Sequence, residues 1–182
     1  MNLINYVDKY ILQLIKTYLF NPFFDYIMPL ITMLGDNGLI WIIIALGLLI
    51  IKKYRKIGIM ILVAITISFI ICSVILKPMF NRPRPNEHLE NIELLIKPPT
   101  DFSFPSGHTS VSIAGAFIIF YANKKMGILA YILAGLIAFS RMYLFVHYPS
   151  DILGGIIIGI ISGVLAIKII NSLKKGENYE KI

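Results

Sequence analysis

Five apolar runs dominate the chain, over residues 38–51, 57–76, 109–122, 126–146 and 152–170. Apolar runs of about 18 residues or more match the ~30 Å hydrocarbon core of a bilayer. The first and third are short for a span, so their ends are expected to extend into flanking residues. The expected fold class is all-α: a polytopic membrane helix bundle of five to six transmembrane helices. Composition agrees, since 15% of residues are charged against about 25% in soluble domains. A bundle of spans shares one core, and no period of 20–50 residues repeats. Residues 1–182 therefore read as a single domain.

The segment before these runs is of a different kind. Residues 2–20 have helical periodicity: Leu3, Ile4, Val7, Ile11, Leu14, Ile15, Tyr18 and Leu19 share one face. Asn2, Asn5, Asp8, Lys9, Gln13, Lys16 and Thr17 gather largely opposite. Such a helix is expected to lie in the membrane interface as an N-terminal amphipathic helix. Asp8, Lys9 and Lys16 interrupt any apolar stretch of a signal peptide, so none is expected. Asn21-Pro22 breaks the helix. Residues 23–34 are apolar, but at about 1.5 Å per residue they cannot cross alone. Gly35-Asp-Asn-Gly38 signals a turn. The single Cys72 lies inside an apolar run and leaves the redox compartment open.

Five crossings place the 52–56 loop, the 123–125 loop and the C-terminal tail on one side. Those segments carry Lys52, Lys53, Arg55, Lys56, Lys124, Lys125, Lys174, Lys175 and Lys181. The other side holds the 77–108 loop and the 147–151 turn. Outside its candidate site it carries Arg82 and Lys97, offset by Asp36, Glu87, Glu90, Glu93 and Asp101. The positive-inside rule then puts that second side outward, at the outer face of a cell membrane. The net charge of +7 reads as orientation and lipid contact rather than nucleic-acid binding.

Three polar islands fall on the outward side. They are Lys77 with Arg84-Pro85, Pro105-Ser-Gly-His108, and Ser140-Arg141 followed by His147 and Asp151. Lys77, Arg84 and Arg141 offer ammonium and guanidinium donors suited to phosphate oxygens. Ser106, Gly107 and His108 open a helix whose free N–H groups attract an anion. Gly107 lets backbone approach a ligand closely. Non-specific lipid contact suits one cation better than three beside a Ser-Gly-His start. His147 and Asp151 are four apart, so the carboxylate can fix the imidazole tautomer and leave one nitrogen to attack phosphorus. His108 can protonate the leaving oxygen and then activate water. Asp151 or Ser150 could instead cap the last helix, which is compatible with that role. Zinc on His108, His147 and Asp151 is disfavoured by the adjacent cations.

The pattern Lys-x6-Arg-Pro, Pro-Ser-Gly-His, Ser-Arg-x5-His-x3-Asp resembles the signature of the type 2 phosphatidic acid phosphatase (PAP2) superfamily. It runs from Lys77 to Asp151 with its spacing intact. Arg82-Pro83 precedes Arg84-Pro85, and the six-residue spacing selects Arg84, leaving Arg82 a neighbour. The resemblance implies a metal-independent membrane phosphatase with no cofactor and a phosphohistidine intermediate. It implies His147 as nucleophile, Asp151 as its partner and His108 as general acid/base. Lys77, Arg84, Ser106, Gly107 and Arg141 would bind the phosphoryl group, with Ser140 as a further contact. The partners expected are the bilayer and a lipid phosphate, with no nucleic acid. Small members of this kind are similar to undecaprenyl-diphosphate phosphatases. Phosphatidylglycerophosphate, phosphatidic acid and diacylglycerol-pyrophosphate remain alternative substrates. A lipid phosphotransferase or a non-catalytic lipid transporter are alternative classes. The motifs do not choose an oligomeric state.

Other features read as structural. Gly155, Gly159 and Gly163 form a small-residue stripe for helix packing, or for dimerisation. Tyr143, Phe145 and Tyr148 suit an interfacial aromatic belt or a lipid-tail opening. His88 is assigned no role, and Glu87, Glu90 and Glu93 read as a solvated face.

Overall fold

The computed structural model describes residues 3–88 and 94–179, with side chains through 87 and from 94 to 173. Glu90 and Glu93, and the side chains of His88, Lys174 and Lys175, lie outside that description. The protein is all-α. Its helices are α1 (Leu3–Leu19), α2 (Pro22–Gly35), α3 (Leu39–Ile50), α4 (Arg55–Phe69), α5 (Lys77–Phe80), α6 (Gly107–Ala122), α7 (Lys124–Tyr143) and α8 (Pro149–Tyr179). Pro22–Ile50, Arg55–Glu87, Lys124–Tyr143 and Pro149–Leu173 are long and apolar enough to cross a membrane, and Gly107–Ala122 is a shorter apolar helix. With the family relationship given below, these make it a multi-pass membrane protein.

α6 is the central helix, packed on α4, α7 and α8. Its core partners include Trp41, Ile61, Ala64, Ala134 and Ile137, all closed to solvent. The Trp41 indole donates to Ser112 Oγ at 3.0 Å, which satisfies its one polar atom inside the apolar core. Small residues allow the close approach of α8 to α6. A Cβ on Gly159 would sit 2.6 Å from the Ser110 carbonyl, and one on Gly155 would sit 2.8 Å from that of Ser106. The glycine stripe thus packs within the chain.

Crossing parity emerges from the turns. Lys56 Nζ donates to Asn171 Oδ1 at 2.7 Å, which joins the start of α4 to the far part of α8. At the opposite end the Ser106 N–H donates to the Asp151 carbonyl at 3.1 Å, joining the starts of α6 and α8. The end of α4, the start of α6, the end of α7 and the start of α8 therefore share one end of the bundle.

The N-terminal third departs from simple spans. α1 has three faces rather than two. Asp8, Leu12 and Ile15 are buried against the protein, while Leu3, Val7, Leu14 and Tyr18 are exposed apolar residues. Lys9, Gln13 and Lys16 form an exposed polar strip. An in-plane helix beside a bundle needs such faces for protein, lipid and water. Asp8 was expected on the water face and instead points into the protein. α2 keeps both its ends near the site end of the bundle: its start is tied to the end of α7, where the Tyr143 hydroxyl donates to Asp25 Oδ1 at 2.5 Å. Its Gly35 end packs on His108 and Ile137. Asn37 and Gly38, at φ 51° and 73°, then turn the chain into α3.

Two boundaries were misjudged from sequence. The second span continues from Phe69 through a π-helical segment, Ile70–Leu76, into α5. The wider turn rotates the helix end relative to a regular α-helix. α7 stops at Tyr143, earlier than hydropathy suggests, because Phe145 adopts φ 55° and turns the chain.

Candidate active site

Lys77, Arg84, His108, Arg141 and His147 converge on a cavity of about 500 Å³, with Thr32, Asp36, Lys97 and Asp101 also on its wall. The π-helical segment and α5 deliver Lys77, the start of α6 delivers His108, and the last turn of α7 delivers Arg141. His147 lies in the short link to α8. Its backbone N–H donates to the Arg141 carbonyl at 3.2 Å, which folds that link back onto α7.

The histidine is buried, 1% exposed, between a carboxylate and a guanidinium. His147 Nδ1 lies 3.4 Å from Asp151 Oδ2, and Nε2 lies 3.2 Å from Arg84 Nη1. Arginine can only donate, so Nε2 is the acceptor and Nδ1 carries the proton toward Asp151. Burial, and then the Arg84, Arg141 and Lys77 charges, hold the His147 pKa well below its usual 6.5. A neutral imidazole with its lone pair on Nε2 is the state a nucleophile needs, and here that lone pair accepts from Arg84 until phosphorus takes its place. Asp151 is fixed from several directions: Oδ2 also accepts from the Ser103 hydroxyl and, at 2.8 Å, from the Tyr148 N–H.

The cations have partners of their own. Arg84 donates to the Val146 carbonyl at 2.5 Å and to Asp101 Oδ1 at 2.6 Å. Lys77 pairs with the other Asp101 oxygen. Partial burial pushes the Asp101 pKa up, but hydrogen bonds and charges from Lys77 and Arg84 outweigh it and lower it to about 2. Arg141 donates to Thr32 Oγ1 at 2.6 Å, while its buried Nε has no partner among the described residues. One carboxylate thus sits on two of the cations, Lys77 and Arg84, while Lys97 is a further cation on the cavity wall.

Ser106 caps α6, accepting from the Thr109 N–H at 3.4 Å and its hydroxyl at 2.9 Å. The nearest protein atom to a Cβ on Gly107 would be Ser73 Oγ at 3.7 Å, so no neighbour obstructs that position. Ser140 turns its hydroxyl onto the Ile137 carbonyl at 2.7 Å, inside the protein. His108 Nε2 lies 2.8 Å from Asp36 Oδ1. A second cavity of about 340 Å³ meets the first at Lys77, Asp101 and His108 and runs along Ile42, Ile65, Phe69 and Val111. A tetrahedral anion in the first cavity would face the cations, Nε2 of His147 and the start of α6, with an apolar path beside it.

The sequence profile of the PAP2 superfamily matches residues 58–175. The chain belongs to the PAP2 superfamily. It is 35% identical over 131 residues to an undecaprenyl-diphosphatase of Sulfolobus acidocaldarius, an alignment covering 71% of this chain. The chain spans 63% of that relative's length. Its fold is similar to the crystal structure of Aquifex aeolicus LpxE, with a TM-score of 0.79 and 29% identity over 92% of this chain and 99% of that one. It is also similar to a transmembrane PAP2 type phosphatidylglycerolphosphate phosphatase of Bacillus subtilis. There the TM-score is 0.76 with 26% identity, over 94% of this chain and 88% of the other.

Sequence reasoning named Lys77, Arg84, His108, Arg141 and His147, which line the cavity, and left Asp36, Lys97 and Asp101, which also line it, outside the site. Asp101, Asp36, Thr32 and Ser103 were unassigned or counted only as charge. Glu87, read as solvated, accepts the Arg84 N–H at 3.0 Å. Asp36 had a usable signal, a lone carboxylate in a Gly-Asp-Asn-Gly turn between apolar runs. Thr32 had none, since a threonine in an apolar helix reads as packing.

Proposed function

We propose that this PAP2 protein is a membrane lipid phosphatase working through a phosphohistidine. The observation that carries the reading is the neutral Nε2 of His147, which faces a cavity shared by Lys77, Arg84 and Arg141. Nε2 attacks phosphorus, the bond from phosphorus to the leaving oxygen breaks, and His108, entering the step as the imidazolium with Asp36 accepting from its Nε2–H, gives that oxygen the proton of Nδ1. Asp151 accepts from Nδ1–H and stabilises the charge that develops on the ring. Water then attacks phosphorus, His108 takes its proton, and the P–N bond breaks to release phosphate. Asp36 accepts from Nε2–H of His108, which favours the imidazolium and leaves Nδ1 to exchange the proton. Arg84, Lys77 and Arg141 neutralise the phosphoryl oxygens, with Ser106 and Gly107 at the helix start.

The apolar cleft beside His108 supports a substrate whose tail stays in the bilayer while its headgroup enters the site. The best candidate is undecaprenyl diphosphate, cleaved to undecaprenyl phosphate on the outward face of the cell membrane. The lysine and arginine bias supports that side, and the Sulfolobus relative's name supports that substrate. Phosphate release by purified protein from undecaprenyl diphosphate, phosphatidic acid and phosphatidylglycerophosphate, at equal tail dilution, tests both. Undecaprenyl diphosphate should rank first, and a chelator should leave the rate unchanged. No phosphate release from any of the three would contradict the phosphatase reading. Another lipid ranking first would contradict the substrate.

A further inference from the structure

α1 keeps its single carboxylate, Asp8, away from water at 2% exposure. Asp8 Oδ1 accepts the Ser150 N–H at 2.9 Å, and Oδ2 accepts Arg82 Nη2 at 2.6 Å and the Ser150 hydroxyl. Arg82 Nη1 donates to Asp151 Oδ1 at 2.6 Å and to Ser150 Oγ at 2.6 Å. The Arg82 guanidinium also lies 4.2 Å from the centre of the Tyr148 ring. One arginine therefore joins the amphipathic helix α1 to the carboxylate that holds His147.

Capping alone does not account for this arrangement. The contact of Asp8 with the Ser150 N–H is an N-terminal cap for α8 supplied from another helix. It needs no arginine, and it does not require Arg82 to reach the far oxygen of Asp151. Charge explains the rest. Arg82 paired with Asp151 alone would cancel the charge that steadies an imidazole as it attacks phosphorus. With Asp8 present, two carboxylates share one guanidinium, and a net negative charge still faces His147. The Arg82 bonds also hold Oδ1, so that Oδ2 stays on Ser103, Tyr148 and His147.

We propose that Asp8 and Arg82 are positioning residues for the His147–Asp151 pair, tying the amphipathic helix α1 to the nucleophile. The proposal rests on the phosphatase reading above. His147 is faced by Arg84 and Lys77 from the region of α5, His108 from α6, Arg141 from α7 and Asp151 from α8. Asp36 lies on the far side, on His108. Behind Asp151, Arg82 and Asp8 are the charged groups bonded into its network, with Lys9 on the adjoining cavity beside Arg82 and Tyr148, and Glu87 near enough to act on Tyr148. Removing either changes the charge behind His147 with opposite sign.

The test is the pH dependence of kcat/KM with p-nitrophenyl phosphate for the unsubstituted chain, Asp8→Asn and Arg82→Met in detergent. Asp8→Asn should lower kcat about tenfold with KM held within about twofold. Its acid limb should move to lower pH by about half a unit, because His147 loses negative charge behind it. Arg82→Met, which keeps a long stem over Tyr148, should move the acid limb to higher pH. A purely capping role predicts a lower melting temperature with both limbs unmoved, and that result would overturn the proposal. If Asp8→Asn does not fold, Arg82→Met carries the test, and an unmoved limb there overturns it. Hydrolysis with unmoved limbs sinks this inference alone. No hydrolysis by the unsubstituted chain sinks the phosphatase reading and this inference with it.

Discussion

Asp101 occupies two cations that the proposed reaction assigns to phosphate. Its pKa, lowered to about 2, keeps it ionised at neutral and mildly acid pH, so mild acidification does not release Lys77 and Arg84. A phosphoryl group that takes the same donors competes with it. Asp101→Asn should therefore tighten inhibition by inorganic phosphate about threefold or more, read as a lower inhibition constant. Unchanged or weaker inhibition would contradict that competition. His147 gives the second expectation at this scale. A pKa held below 6.5 leaves the imidazole neutral as pH falls through 6.5, with protonation and loss of the nucleophile only at lower pH. The acid limb of kcat/KM that belongs to His147, after correction for substrate ionisation, should lie below pH 6.5. Lys77, Arg84, His108, Arg141 and His147 were legible because polar groups at the ends of apolar runs are costly and stand out. Asp101 and Thr32 were not, because a loop carboxylate and a helix threonine look the same whether or not they hold a cation.

Helices place these groups through contacts that tolerate little change. The stripe on α8 was legible as small residues four apart, and its partner on α6 was not, since spacing names no neighbour. At Gly159 an added Cβ would meet the Ser110 carbonyl at 2.6 Å and the Ile113 Cβ at 2.7 Å. Gly159→Ala should cost about 1–3 kcal/mol of stability, read as a lower melting temperature in detergent. An unchanged midpoint would contradict the close α6–α8 contact. The π-helical segment before Lys77 left no mark on the sequence, because Ile70–Leu76 has the apolar composition of an ordinary span. The amphipathic character of α1 was legible, but its division into three faces depends on a neighbour, and that is why Asp8 was misplaced on the water side.

For the whole molecule the bundle's two ends carry different chemistry. The end with His147 holds the candidate site, and the end with Lys56 and Asn171 carries the basic loops. A cysteine at Thr100, an exposed position beside the site, should react with an impermeant maleimide on intact cells. One at Lys53 should react only after permeabilisation, and the reverse pattern would contradict the outward orientation. Cys72 is buried and gives little background. The central claim is that His147 carries the phosphoryl group, and chemical trapping tests it most directly. Rapid acid-free denaturation during turnover of ³²P-labelled substrate should yield protein whose label is stable to alkali, released by acid and mapped to His147. His147→Ala should give no label and no turnover. Turnover that survives in His147→Ala, or label mapped to another residue, would contradict the account.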